Sequence, residues 1–260
     1  MKNLGAAVWA EFLKIRRSRM PVFTALGFLL IPLMGGLFMI VLKDPEFARN
    51  IGLLRTKAEA ITGTADWPSY FGLLGQAIGV GGILLYALIA AWVFGREFVD
   101  HTAKDFLALP APGSSIIAAK FIVVFVWAGL LALMVYVFGM VIGALIGLPR
   151  WSANIALGGT IMLAVTSLLT IALVTPVAFV ASAGRGYLPP IGFAIVALVL
   201  AQVLAAAGWG PLFPWSIPAL CAGIVRGASL DGSSYVIVVL TSLAGLAATF
   251  AWWRFADHTH

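Results

Sequence analysis

Residues 121–148 read FIVVFVWAGLLALMVYVFGMVIGALIGL, an unbroken run without one ionisable side chain. A helix needs about 20 such residues to cross the hydrocarbon of a bilayer. A soluble helix shows its core one stripe only, whereas this one is apolar all round. Five further stretches qualify as spans, at about 22–42, 77–95, 155–183, 189–207 and 234–253. The 121–148 and 155–183 runs exceed what a bilayer requires, so they tilt or project beyond it. Of the 260 residues, 62% are hydrophobic and 10% charged, against about 25% charged in an ordinary soluble domain. The mean hydropathy of +1.05 agrees. A chain this short in solvating groups could not clothe a water-soluble exterior. Soluble enzyme, disulfide scaffold and disordered regulator are excluded.

The breaks between spans have local causes. Lys43-Asp44-Pro45 ends the first, Leu148-Pro149-Arg150 the third, and Gly184-Arg185-Gly186 with Pro189-Pro190 the fourth. An even number of spans puts both termini on one side. With them inside, the inner segments hold Lys2, Lys14, Arg16, Arg17, Arg19, Arg96, Lys104, Lys120, Arg185 and Arg254. The outer segments hold Lys43, Arg49, Arg55, Lys57, Arg150 and Arg226. The positive-inside rule therefore predicts a multi-pass protein of the cytoplasmic (inner) membrane with both termini cytoplasmic. Cys221 then lies toward the outer face. As the single cysteine it excludes an intramolecular disulfide and a cysteine metal cluster. The net charge of +6 is explained by loops held against an anionic leaflet, with no call for nucleic acid.

The spans carry glutamines, serines and threonines but essentially no acid, base or histidine. Ion-coupled carriers need such groups at membrane depth to bind the coupling ion. Serine–histidine proteolysis needs a buried histidine. Neither fits, and no catalytic motif or Gly-rich phosphate loop with its lysine occurs. If the chain moves something, the energy arrives from a separate subunit.

Two stretches outside the spans are informative. Residues 1–20 read as an amphipathic interfacial helix lying in the membrane plane. Leu4, Val8, Phe12 and Ile15 form a stripe widened by Trp9 and Leu13, while Asn3, Glu11, Lys14, Arg17 and Ser18 lie opposite. Arg16 and Arg19 intrude on the apolar side, close enough to snorkel. The loop 96–120 mixes charges with Phe98, Val99, Phe106, Leu107 and Leu109. The spacing predicts a short helix over about 97–108, ended by Pro110 and Pro112, with Ser114 or Ser115 capping the next. Its apolar residues need either a groove in a partner or the headgroup layer.

These stretches carry a family resemblance. Ala10-Glu11-Phe12-Leu13-Lys14 followed by Arg16-Arg17-Ser18 resembles the start of permease subunits of bacterial ABC exporters, the six-helix class of bacitracin and lantibiotic-immunity permeases. The loop is similar to that family's signature, an acidic residue and then Thr-x-Lys-x-x-Leu-x-x-Pro. The matching positions are Glu97, Thr102, Lys104, Leu107 and Pro110, with Lys120 opening the third span. Relatives often have Ser-Arg after the proline where this chain has Pro112-Gly113. The resemblance implies that 96–120 is a coupling loop docking in a cleft of an ABC ATPase subunit. There Phe98, Phe106 and Leu107 would fill a groove, and Glu97, Asp100, Lys104 and Asp105 would fix its register. Arg185 and Tyr187, in the turn 184–187, would make the second contact. It also implies a second permease subunit, identical or paralogous, with ATP and Mg bound by the ATPase and no cofactor bound by this chain.

Residues 208–233 are too apolar for a solvated loop and too interrupted by Pro and Gly for a span, which suits an outer re-entrant or interfacial segment. Within the outer loop 43–76, residues 46–60 read as a short surface helix. Gly79, Gly81, Gly82, Gly139, Gly143 and Gly147 permit close helix contact. The expectation is thus an all-α membrane protein: an in-plane helix, six transmembrane helices, and a re-entrant segment before the last. Its expected function is the permease half of an ATP-driven exporter of a hydrophobic or amphipathic substrate, a peptide antibiotic or lipid-like molecule. The alternative is a non-transporting scaffold or sensor that recruits a cytoplasmic partner.

Overall fold

The computed structural model describes residues 2–44, 64–100, 102, 112–225 and 230–255. Among them the secondary structure is helical: α1 (Lys2–Arg16), α2 (Met20–Lys43), α3 (Trp67–Val99), α4 (Gly113–Ile146), α5 (Ala153–Ala172), α6 (Val174–Ala183), α7 (Leu188–Ala206), α8 (Ile217–Cys221) and α9 (Gly232–Phe255), with a 3-10 turn at Gly210–Leu212. Six helical stretches are long and apolar enough to span a membrane: α2, α3, α4, α5 with α6, α7 and α9.

Helix α3 is the centre. It packs against α2, α4, α5, α6, α7 and α8. Tyr70, Tyr86, Ile89, Ala90 and Phe94 on it are wholly buried. It begins ten residues before the expected span because Asp66 caps it: the carboxylate accepts from the Ser69 N–H at 2.9 Å, and Pro68 suits the first turn. Hydropathy falls off before a capped helix does. Helix α4 likewise starts at Gly113 rather than 121. Pro112 precedes it without a side-chain cap, so Ser114 and Ser115 lie inside its first turn and are not the caps.

The fourth span is divided at Leu173. Pro176 has no N–H for the Ala172 carbonyl. Thr175 Oγ1 lies 3.1 Å from that carbonyl and 2.6 Å from Ser242 O on α9. A Cβ at Gly245 would run into the Thr175–Pro176 backbone, so α9 closes directly on the break.

One further expectation changes. Helix α3 runs unbroken to Val99, so no separate helix starts at 97, and most of the expected 97–108 helix lies outside the described residues. So does the expected surface helix at 46–60. Between α7 and α9 the chain makes the 3-10 turn and then α8, whose Ile217 is wholly buried. A Cβ at Gly79 of α3 would lie 2.7 Å from Ala219 N, so α8 rests backbone-to-backbone on α3.

At the end of the bundle away from α1, polar contacts join the loops. Lys43 Nζ donates to Ile146 O at 2.8 Å and Gly147 O at 3.3 Å, capping α4. Arg150 Nη1 lies 2.9 Å from Asp66 Oδ2. Burial pushes the Asp66 carboxyl up, but the Ser69 amide, the Thr64 hydroxyl and Arg150 outweigh it and hold the carboxyl below its ordinary range.

Candidate functional site

At the α1 end of the bundle, four charged side chains from three helices meet in the interior. Glu97 stands in the last turn of α3, where the 96–120 loop leaves the bundle. Lys120 stands in the second turn of α4, where the loop returns. Lys120 Nζ lies 2.8 Å from Glu97 Oε1 and 3.5 Å from Glu11 Oε2 of α1, and donates to Val93 O at 2.8 Å. Lys14 Nζ lies 2.8 Å from Glu97 Oε1 and from Glu11 Oε1. The Glu97 and Lys120 side chains are 2% and 1% exposed, so this is an interior network. Its formal charge is zero, two carboxylates against two ammonium groups, which is the condition for burying ions at tolerable cost. Burial pulls the Lys14 ammonium's pKa down, but Glu11 and Glu97 outweigh it and hold the value above normal.

Local sequence explains the convergence. Glu11 and Lys14, three residues apart on α1, share one helix face. That face turns inward, while Trp9 and Phe12 stay exposed. The charge pattern of α1 thus marks its protein-facing side, and part of the apolar stripe is left outward. Ile15, also in the stripe, is buried. Arg16 and Arg17 are exposed.

The turn between α6 and α7 joins the same place. A Cβ at Gly95 would lie 2.8 Å from Gly186 O and 3.1 Å from Tyr187 Cδ1, so the turn sits directly on α3 one turn from its end. Arg185 is exposed there with φ +52°. Burial, with Asp100 beside it, pushes the Tyr187 hydroxyl upward against Arg96.

The expected contact residues therefore divide. Glu97 is internal, with 2% of its side chain exposed, and is paired to α1 and α4. Phe98 is half-buried with its ring 5.5 Å from that of Trp253 on α9. Asp100 is exposed and paired with Arg96 at 2.9 Å. The Thr102 N–H closes the end of α3 on Glu97 O at 2.9 Å. Lys104, Asp105, Phe106, Leu107 and Pro110 lie outside the described residues. The linkage of Glu11 to Lys120 went unread in the sequence. Its signal was there: a lysine flush with a long apolar run needs a counter-charge.

The sequence profile of the ABC-2 family transporter proteins matches residues 7–201. The chain belongs to that family. The match takes in Glu11, Lys14, Gly95, Glu97, Lys120 and Tyr187, and leaves α8 and α9 outside it. The permease is 27% identical, over 177 residues, to the bacitracin transport permease protein of Bacillus licheniformis, covering 68% of this chain and 85% of the relative. No solved structure matches it. It is thus a permease subunit of an ABC transporter and a multi-pass membrane protein.

Proposed function

We propose that this permease is the membrane half of an ATP-driven exporter and that the buried network links its coupling loop to the bundle. The supporting observation is the Glu97–Lys120 pair. It bridges the two stems of the 96–120 loop and ties both to α1, while the 184–187 turn rests on Gly95. A push on the loop or on the turn would therefore reach α1, α3 and α4 together. The ABC ATPase subunit would dock on Phe106 and Leu107 with Asp100, Lys104 and Asp105 around them, and Arg185 and Tyr187 would form the second contact. ATP and Mg would be bound by that partner. A second permease subunit, identical or paralogous, would complete the pathway.

In this reading both termini are cytoplasmic in the inner membrane, α1 lies in the membrane surface, and 208–225 forms a re-entrant segment in the outer half. The last point is supported by the seat of α8 on Gly79. That residue lies twelve residues into α3, about 18 Å along it at 1.5 Å per residue. The substrate is a hydrophobic or amphipathic molecule, and the name of the relative favours a peptide antibiotic. Cys221 would then react with a membrane-impermeant thiol reagent from outside the cell. The deciding experiment is copurification with the cognate ATPase and ATP hydrolysis in proteoliposomes. Wild type should stimulate hydrolysis, and the double substitution Phe106→Ser with Leu107→Ser should abolish copurification. Full complex recovery from that variant refutes the docking assignment.

A further inference from the structure

Between α1 and α4 lies an apolar groove of about 590 Å³, walled by Val8, Trp9 and Phe12 on one side and Val126, Trp127 and Leu130 on the other. Its α4 wall starts just beyond the charge network. Leu130 is ten residues past Lys120, about 15 Å of helix at 1.5 Å per residue. The groove's own α4 lining runs from Ile122 to Leu130, about 12 Å, close to half of a hydrocarbon core of about 30 Å, so the groove is nearly as long as one leaflet is deep. Val126 and Leu130 are 57% and 60% exposed along it.

The mouth of the groove is basic. Arg16 lines it, as does Pro21, and Arg19 stands two residues before Pro21 as the residue preceding α2. Arg16, Arg17 and Arg19 are all exposed and form no ion pair among the described residues. The acids nearby in α1 and α3 are already neutralised within the buried network. An apolar slot of that length opening at exposed guanidinium groups is complementary to an acyl chain ending in a phosphate. A second copy of this chain would bring its own arginines to the same mouth in a two-fold contact, like charge against like.

We propose that this groove is a binding site for an anionic phospholipid of the leaflet on the α1 side, with one acyl chain between α1 and α4 and the phosphate held by Arg16 and Arg19. The bound lipid would extend the α1–α4 contact that Glu11 and Lys120 begin. The site belongs to the permease alone, so its test is independent of the ATPase.

The purified full-length permease in detergent is offered phosphatidylglycerol and phosphatidylcholine of identical chains in equal amounts, and retained lipid is counted by native mass spectrometry. The expected result is retention of phosphatidylglycerol over phosphatidylcholine by about 25-fold, from roughly a fivefold gain for each arginine at an anionic surface. The pair Arg16→Gln with Arg19→Gln should bring the ratio to near parity, and Arg16→Lys with Arg19→Lys should keep a preference. Val126→Trp, filling the groove, should lower retention of both lipids. Parity in wild type overturns the proposal, as does a preference that survives the glutamine pair. A Val126→Trp change in oligomer mass at unchanged lipid count assigns the groove to a second subunit and also overturns it. Both arginines are exposed, so the glutamine pair decides the matter even where Val126→Trp does not fold.

Discussion

A lysine side chain with 1% of its area exposed, as in Lys120, is buried at tolerable cost only where carboxylates and carbonyls replace the water it loses. Glu97, Glu11 and the Val93 carbonyl do so here. Glu97→Gln leaves two ammonium groups and one carboxylate in the interior. Lys120→Met leaves the reverse. Breaking a buried pair by removing one partner costs about 3–5 kcal/mol, and each single variant should lose that order of stability in detergent-solubilised unfolding. The double variant leaves Glu11 with Lys14, a neutral pair, and should recover part of the loss, with a coupling of about 0.5–3 kcal/mol in the double-mutant cycle. Additive losses would show that the pair is not energetically linked. Asp66 ties stability to pH on the acid side. Its carboxyl is held below the ordinary value of 3.8, so its contribution is full above that value and is lost as pH falls through the lower folded-state value. Lys14 is held above 10.5, so its contribution is full below that and is lost as pH rises through the higher folded-state value. Stability should therefore be flat with respect to these two groups from about pH 5 to 9. Asp66→Asn keeps a competent helix cap and should flatten only the acid limb of a pH titration of thermal unfolding.

The same contrast between charge and packing governs how much of each helix was legible. The apolar runs located all six spans because burial in lipid demands length and nothing else. Their ends were less legible, because a helix ends where its backbone groups find partners. Asp66 gave α3 an extra ten residues that hydropathy assigned to a loop. The expected close-contact glycines sort by neighbour. Gly79 meets the backbone of α8, Gly139 meets Leu74 and Gly143 meets Trp67. Gly81 faces open space, and Gly147 serves as the left-handed cap of α4 at φ +66°. A stripe of small residues shows that approach is possible but not which partner approaches. Gly245 was not singled out, although it seats α9 on the α5–α6 break. Adding a side chain there must part the two elements, so Gly245→Val should cost about 1–3 kcal/mol, the range for overpacking a closed contact. Limited proteolysis should show α9 released before the remainder of the bundle, and wild-type resistance would refute this role for the glycine.

Across the whole molecule, the few charges of the sequence do different work at the two ends. Away from α1 they fasten loops, Lys43 on α4 and Arg150 on Asp66. At the α1 end they join three helices around the stems of the 96–120 loop. The sequence marked that loop by composition and resemblance, yet it could not tell which of the loop's charges faced inward, because Glu97 and Asp100 are chemically equivalent on paper. Only the position of Lys120 in three dimensions separates them. The 184–187 turn bears on α3 through Gly95 at a distance that tolerates no side chain. Gly95→Leu should lift the turn away while leaving Phe106 and Leu107 untouched, so the ATPase should still copurify. Permease-stimulated ATP hydrolysis in proteoliposomes should fall roughly tenfold, within the range of about 0.5–2 kcal/mol by which substitutions between coupled sites change their coupling. Gly95→Ala, with less to accommodate, should fall between that variant and wild type. Unchanged stimulation in Gly95→Leu would mean that the turn carries no force, leaving the Glu97–Lys120 bridge as the single route from loop to bundle.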